Sequence, residues 1–383
     1  MEYIEEFLKK RDEGGILRTL KPASRRENGR IYFGESEYID LSSNDYLGLS
    51  HHPRLIDASR EALVKYGASA SASRLLSGDL EICHELEEAT AKFKNKESAL
   101  VFNSGYQANV GIVSALYGNS DAVFCDRLSH ASIIDGLLLS GARLFRFKHN
   151  DVDHLNSILG KERSKFKNAL IITETIFSMD GDRPDLKAIV DLKEKFKCRL
   201  FLDEAHATGI YGKNGSGVVE EDGLVDRVDF IMGTFGKALG SFGAYLAASR
   251  SYTDYLVNTC RSFIYSTALP PAVIAASLAG IELVKSEPNR RVELLRSAEY
   301  LREGLKAKGF EVRGSSQIVP VITGDNSRTL KFAQNLREKG YWVLPIRPPT
   351  VTAGEGRLRF SLTFDHGITV IQKLLDDISD IKI

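Results

Sequence analysis

From about residue 97 to residue 250, short runs of β-branched, aromatic and aliphatic residues alternate with longer segments whose apolar positions recur at helical spacing. The runs are Ala99 to Phe102, Ala122 to Cys125, Arg143 to Phe147, Ala169 to Thr173, Arg199 to Leu202, Asp229 to Met232 and Ala244 to Ala247. Polar or glycine turns follow them, and helical patterns such as Leu186-Lys187-Ala188-Ile189-Val190-Asp191-Leu192 fill most of the intervals. An unbroken apolar run of strand length belongs to a strand buried on both faces. Strands that alternate with helices build a mostly parallel sheet covered on both sides. The pattern predicts an α/β fold, with a large doubly wound domain around a seven-stranded sheet.

After Pro270-Pro271 the rhythm changes to long helical patterns, through Ile281-Glu282-Leu283-Val284 and then from Val292 to Leu305. Strand-like segments follow at Phe310 to Val312, Ile318 to Ile322, Tyr341 to Leu344 and Arg357 to Thr363, with helices expected from Arg328 to Lys339 and Thr369 to Ile378. This reads as a smaller α+β domain. The expected division is an N-terminal arm at 1–40, helical and then a short hairpin around Glu35-Ser36, a large domain at 41–284 and a small domain at 285–383. No internal repeat and no low-complexity tract interrupts it.

Composition narrows the function classes. The chain has 383 residues, 51 basic and 51 acidic, so its formal net charge is zero, which argues against nucleic acid as the main partner. No stretch has the unbroken apolar length of a membrane span, and Met1-Glu2-Tyr3-Ile4-Glu5-Glu6 has no basic then apolar signal pattern. A cytoplasmic protein is expected. Cys83, Cys125, Cys198 and Cys260 show no CxxC pairing and sit mostly among apolar residues, as reduced packing residues do.

The chemistry starts at Lys237, in Gly233-Thr234-Phe235-Gly236-Lys237-Ala238-Leu239-Gly240, just after the apolar run Phe230-Ile231-Met232. Small neighbours let a flat ligand approach, and a desolvated lysine loses its proton more readily, freeing the amine to condense with an aldehyde. Pyridoxal phosphate (PLP) is the usual aldehyde, and its ring nitrogen needs a buried carboxylate to stay protonated. Asp203 ends the apolar run Leu200-Phe201-Leu202, where ligands of open α/β sheets gather. His206, in the same loop, suits the cofactor's phenolic oxygen. The competing readings are a strand-end helix cap for Asp203 and an ordinary loop lysine for Lys237.

Three further turns fit that picture. In Asn103-Ser104-Gly105-Tyr106-Gln107-Ala108-Asn109 a strand ends and a helix begins, so free N–H groups at Gly105 and Tyr106 form a natural phosphate cradle, with Thr234 as a second donor. His130, in Asp126-Arg127-Leu128-Ser129-His130-Ala131-Ser132, is placed to stack on the pyridine face and polarise a substrate carbonyl. Ser178, in Phe177-Ser178-Met179-Asp180-Gly181-Asp182, donates into the pocket, while the Asp-Gly-Asp run reads as a turn and helix cap rather than a metal site. The remaining histidines, His51, His52, His84, His149, His154 and His366, make no metal set and read as surface or capping residues.

These runs, together with Ser42-Ser43-Asn44-Asp45-Tyr46-Leu47-Gly48-Leu49, Asp203-Glu204-Ala205-His206 and Thr234-Phe235-Gly236-Lys237, resemble the α-oxoamine synthases. These are PLP enzymes of the aspartate aminotransferase fold, fold type I. The likeness runs in order from about residue 16 to the C-terminus. It implies that Lys237 carries PLP, that Asp203 faces the pyridine nitrogen, that His206 and Ser178 lie near the phenolic oxygen, and that His130 covers the ring. It also implies a phosphate site at Gly105, Tyr106 and Thr234, and an Arg359 fork that holds the amino acid's carboxylate with help from Asn44. Arg18 and Thr350 match substrate-contacting positions. Ser266 and Thr267 match the segment that reaches a neighbouring subunit's phosphate, which implies an obligate homodimer.

Within the family, Gly324-Asp325-Asn326-Ser327-Arg328, Ile346-Arg347-Pro348-Pro349-Thr350-Val351, His149-Asn150-Asp151-Val152 and Ile264-Tyr265-Ser266-Thr267 resemble the member that joins L-alanine to pimeloyl-CoA or a pimeloyl-carrier protein in biotin synthesis. Thr352 and Glu355-Gly356 depart from that member's usual residues. Glycine C-acetyltransferase, which pairs glycine with acetyl-CoA, is the alternative within the family. A non-catalytic regulatory protein on the same fold is the alternative outside it.

Overall fold

The computed structural model describes residues 2–379 and 381. By contact the chain forms two compact units, one of residues 49–178 and 183–291, the other of residues 1–48, 179–182 and 292–383. The expected arm at 1–40 therefore falls with the C-terminal residues, because its last strand pairs with Tyr341–Trp342.

The larger unit is built on seven strands: β1 (Ser98–Phe102), β2 (Ala122–Asp126), β3 (Arg143–Phe147), β4 (Ala169–Glu174), β5 (Arg199–Asp203), β6 (Phe230–Thr234) and β7 (Ala244–Ala248). Their order across the sheet is β1-β7-β6-β5-β4-β2-β3. Every residue of β1, β2, β4, β6 and β7 is buried, as expected of strands covered on both faces. The edge strand β3 instead exposes Arg143 and Arg146, charges that blunt an open edge. All neighbours are parallel except β7, which runs antiparallel to both β1 and β6. The connection 235–243 is too short for a helical crossover, so β7 has to return beside β6 as a hairpin.

That hairpin carries Lys237. Phe235 N–H donates to Gly243 O, Ser241 N–H to Phe235 O and Gly240 N–H to Lys237 O, closing a tight turn. Gly240 has φ +66°, and a Cβ there would lie 2.7 Å from Leu49, so no other residue fits the turn. A Cβ on Gly280, in the helix Pro271–Ser286, would lie 2.6 Å from Leu239 O. The helix backbone thus packs directly against the lysine turn.

In the smaller unit, strands Arg25–Glu27, Arg30–Phe33 and Ser36–Asp40 form an antiparallel set that Tyr341–Trp342 extends in parallel. A second sheet has the order Ile318–Gly324, Gly356–Ser361, Pro345–Ile346. The expected strand from Tyr341 to Leu344 is thus shortened to Tyr341–Trp342, and Pro345–Ile346, just beyond its expected end, serves the other sheet. The expected strand at Phe310 to Val312 reduces to one bridge, Val312 to Val321. Helices Asn289–Ala307, Asn326–Glu338 and Gly367–Ser379 complete the unit. Residues 179–182 are seated in it by close backbone approach: a Cβ on Gly181 would meet Ile318 O at 2.4 Å, and one on Gly314 would meet Asp180 O at 2.3 Å.

Candidate active site

In the larger unit four polar residues end neighbouring parallel strands: Asp126 on β2, Glu174 on β4, Asp203 on β5 and Thr234 on β6. Glu174 and Asp203 are register partners, so two buried carboxyls stand side by side. Asp203 accepts Ala205 N–H at Oδ1 (2.9 Å) and Asn109 Nδ2 at Oδ2 (3.0 Å). Glu174 Oε1 accepts the His130 N–H at 2.6 Å. Burial pushes the Glu174 carboxyl well above the usual carboxylate range and the Asp203 charge adds to it, against the pull of the His130 N–H and the Lys237 charge.

His130 is the N-cap of the helix Ala131–Ser140, its Nδ1 accepting Ser132 N–H. The residue is exposed, and its ring stands edge-on to Tyr106, 6.5 Å between centroids. Desolvation lowers its pKa, the charge of Lys237 adds to the lowering, and Asp203 and Asp135 oppose it. The same charges act on both His130 and Glu174, so Lys237, Asp203, His130 and Glu174 form one electrostatic cluster. Lys237 is half-buried, His206 buried and Ser178 half-buried, each engaged with neighbours.

The residues fit a phosphate-bearing aldehyde. Helix Gly105–Leu116 begins at Ser104, whose hydroxyl takes the Gln107 N–H and whose carbonyl takes the Ala108 N–H. Among the described residues no protein acceptor takes the N–H groups of Gly105 and Tyr106, so the positive helix end offers both outward. Thr234 differs, since its hydroxyl donates to Gly243 O (2.7 Å) and accepts Gly236 N–H (3.0 Å). Ser266 Oγ accepts Gln107 Nε2 at 2.7 Å, and Thr267 O accepts Asn103 Nδ2 at 2.7 Å, which sets that segment against the same helix start.

In the smaller unit Arg359 donates to Ser361 Oγ (3.2 Å), Asn44 Oδ1 (3.3 Å) and Tyr46 OH (3.2 Å), which brings the expected pair Arg359 and Asn44 together. Arg18 donates to Thr350 Oγ1 at 2.9 Å. Both line a cavity of about 500 Å³ with Lys21, Arg337 and Arg347, walled by Ile16, Leu17, Leu330 and Leu344, and among the described residues no carboxylate lines it. Burial lowers the pKa of Arg347, and the Arg18 charge nearby adds to the lowering.

Two expectations, for His149 and Asp180, are corrected. His149 is not a surface residue: its Nδ1 lies 3.0 Å from the buried Asp126 carboxylate and its ring stands edge-on to Phe177. His366 does cap as expected, from a buried position, accepting Thr363 N–H and donating to Gly29 O. Asp180 is no helix cap, because Arg357 and Arg313 bind it, and Asp185 caps the helix Leu186–Lys195 instead. The departure at Glu355-Gly356 also has a physical account. Glu355 pairs with Arg313 and Arg357, and a Cβ on Gly356 would lie 2.5 Å from Thr329 Oγ1. Glu174, Asn109 and Ser132 were missed, although Glu174 ends its apolar run just as Asp203 does.

The family model for aminotransferases of class I and II matches residues 36–378. The chain belongs to that family, the fold type I PLP-dependent transferases. Within it, the chain is 44% identical to the 8-amino-7-oxononanoate synthase of Geotalea daltonii, covering 100% of this chain and 98% of that protein. It is 47% identical to the 8-amino-7-oxononanoate synthase of Geobacter sulfurreducens over 92% of this chain and 91% of that one. Among solved structures, a serine palmitoyltransferase from S. paucimobilis with bound PLP–myriocin superposes with a TM-score of 0.92 at 32% identity, covering 98% and 96% of the two chains. The 8-amino-7-oxononanoate synthase of Francisella tularensis gives a TM-score of 0.77 at 31% identity, covering 89% and 97%.

Proposed function

We propose that this protein condenses L-alanine with a pimeloyl thioester, releasing the free thiol carrier and carbon dioxide and giving 8-amino-7-oxononanoate. The observation that carries the reading is the cluster of Lys237, Asp203, His130 and Glu174 at adjacent strand ends, in a chain alike over its full length to synthases of that product. PLP, when bound, supplies the electron sink for charge developing at the α-carbon of the amino acid.

In this reading Lys237 Nζ holds the aldehyde at rest and takes the α-proton during turnover. Asp203 keeps the ring nitrogen protonated, and His206 and Ser178 hold the phenolic oxygen. The Gly105 and Tyr106 N–H groups hold the phosphate. Thr234 joins them by exchanging Gly243 O for a phosphate oxygen. Arg359 and Asn44 hold the carboxylate of alanine, a task the planar guanidinium suits. The carboxylate-free cavity of Arg18, Arg347 and Thr350 supports giving it the anionic end of the acyl chain. The exposed Leu76, Leu138, Leu139 and Tyr265 support a homodimer, in which Ser266 and Thr267 reach the partner's phosphate.

Purified protein loaded with PLP, given L-alanine and pimeloyl-CoA, should release free thiol well above an alanine-free control, and release less from glycine with acetyl-CoA. No thiol from the first pair, or faster release from the second, overturns the reading.

A further inference from the structure

We propose that Asn109 is a positioning residue which, acting through Ser132, sets the tautomer of His130 and the orientation of the Asp203 carboxylate together. The inference rests on the reading above, in which Asp203 faces the ring nitrogen and His130 presents its ring to the substrate.

The hydrogen-bond ledger of four residues leads to it. Asn109 and Ser132 are 1% and 0% exposed, so their polar atoms have only protein to pair with. Asn109 Nδ2 lies 3.0 Å from Asp203 Oδ2 and 3.0 Å from Ser132 Oγ. A carboxylate only accepts, so the amide nitrogen must face Asp203, and its two hydrogens serve the two oxygens. Ser132 Oγ accepts one of those hydrogens and lies 2.7 Å from His130 Nδ1, a contact whose direction follows the tautomer of the ring. The Ser132 N–H points at the same nitrogen from 3.3 Å. Nδ1 therefore carries the lone pair, and the proton of the neutral imidazole sits on Nε2. A donor at Nε2 is what polarising a carbonyl requires.

The other end of the relay is equally constrained. With Asn109 on Oδ2 and the Ala205 N–H on Oδ1, the Asp203 carboxylate cannot rotate freely. Asn109 sits between two groups that act on opposite ends of the chemistry and couples them, while its Oδ1 has no hydrogen-bond partner among the described residues. Placing both amide hydrogens correctly leaves that oxygen without a donor.

The test reads the tautomer directly. Protein carrying 15N-labelled histidine, with and without PLP, should show His130 as the Nε2–H form in long-range nitrogen–proton spectra. Ser132→Ala, which removes only a hydroxyl, and Asn109→Ala should each raise the Nδ1–H population and lower kcat about tenfold or more, with KM for alanine little changed. A wild-type tautomer signature in both variants, or unchanged kcat in both, overturns the proposal. If Asn109→Ala does not fold, Ser132→Ala decides alone. Thiol release by the unmutated protein tests the underlying reading separately. A protein without that activity can still display, or fail to display, the His130 tautomer and its dependence on Ser132.

Discussion

The two units assemble their functional side chains by opposite means. In the larger one Asp126, Glu174, Asp203 and Thr234 each end an apolar run, and strand pairing brings the four ends into one row. In the smaller one Arg18 and Thr350 meet across 332 positions of sequence, and their cavity draws on an arm, a helix and two strand connections. A strand end is a local property, since a buried run must stop where the chain turns polar. A meeting of loops is not, since no periodicity within either segment encodes it. The site proposed for the larger unit should therefore tolerate distant change but not change at its strand ends. The one proposed for the smaller unit should depend on how its arm is held.

The sharpest way to break this contrast is Lys237→Ala. Thiol release from alanine and pimeloyl-CoA should fall by at least about a thousandfold, and borohydride should fix no cofactor to the chain. Turnover at a tenth of the normal rate would mean that the strand-end row is not where the chemistry happens.

Next is the support beneath the row. Lys94, 1% exposed, donates to Glu204 Oε2 (2.7 Å), Thr208 Oγ1 (3.2 Å) and Ser216 O, and Glu204 Oε1 takes the Val219 N–H, so a buried ion pair fastens the loop that follows Asp203. Lys94→Met should cost about 3–5 kcal/mol by urea unfolding, because it strands a buried carboxylate. Lys94→Met with Glu204→Leu should regain much of that. If the single variant is as stable as the parent, the loop is held by its backbone alone.

For the smaller unit, His366 reports how the arm is held. Burial drives its pKa from the ordinary value down to about 4, against the opposing pull of Gly29 and Asp40 backbone groups. Between about pH 6.5 and 4 the unfolded chain binds a proton that the folded one refuses. Stability should therefore fall as pH drops through that window, by up to about 3 kcal/mol from this ring. His366→Gln should flatten that part of the pH profile of urea midpoints. An unchanged slope would remove His366 as its source.

The smallest effect concerns the cavity. Arg18→Gln should raise KM for the pimeloyl thioester about tenfold, the cost of one charged hydrogen bond, and leave KM for alanine and kcat nearly unchanged. A loss of kcat with KM unmoved would place Arg18 outside the acyl chain's path.

Much of this was legible along the chain. All seven sheet strands were, because a strand buried on both faces must be apolar throughout, and so was the Lys237 turn with its small residues. The antiparallel return of β7 was less so, since it follows from the length of the 235–243 connection and not from any residue pattern. Asn109 lay within a run already read as a phosphate cradle, yet its polar side chain among Ala108, Val110 and Ile112 passed unnoticed. Only the folded chain puts it within reach of Asp203, 94 positions on.

By itself, then, the sequence determined the α/β class, the strand ends and the residue types waiting there, since burial and turn chemistry act over a few neighbouring residues. Tertiary structure alone decided which strand ends stand side by side. It made Glu174 the neighbour of Asp203, and it turned Asp180 from a presumed cap into an arginine's partner. It also gathered Arg18, Arg347 and Thr350 around a space without a carboxylate. Those outcomes depend on pairing and packing between segments far apart in the chain, where charge and hydrogen-bond satisfaction are settled only after the elements have met.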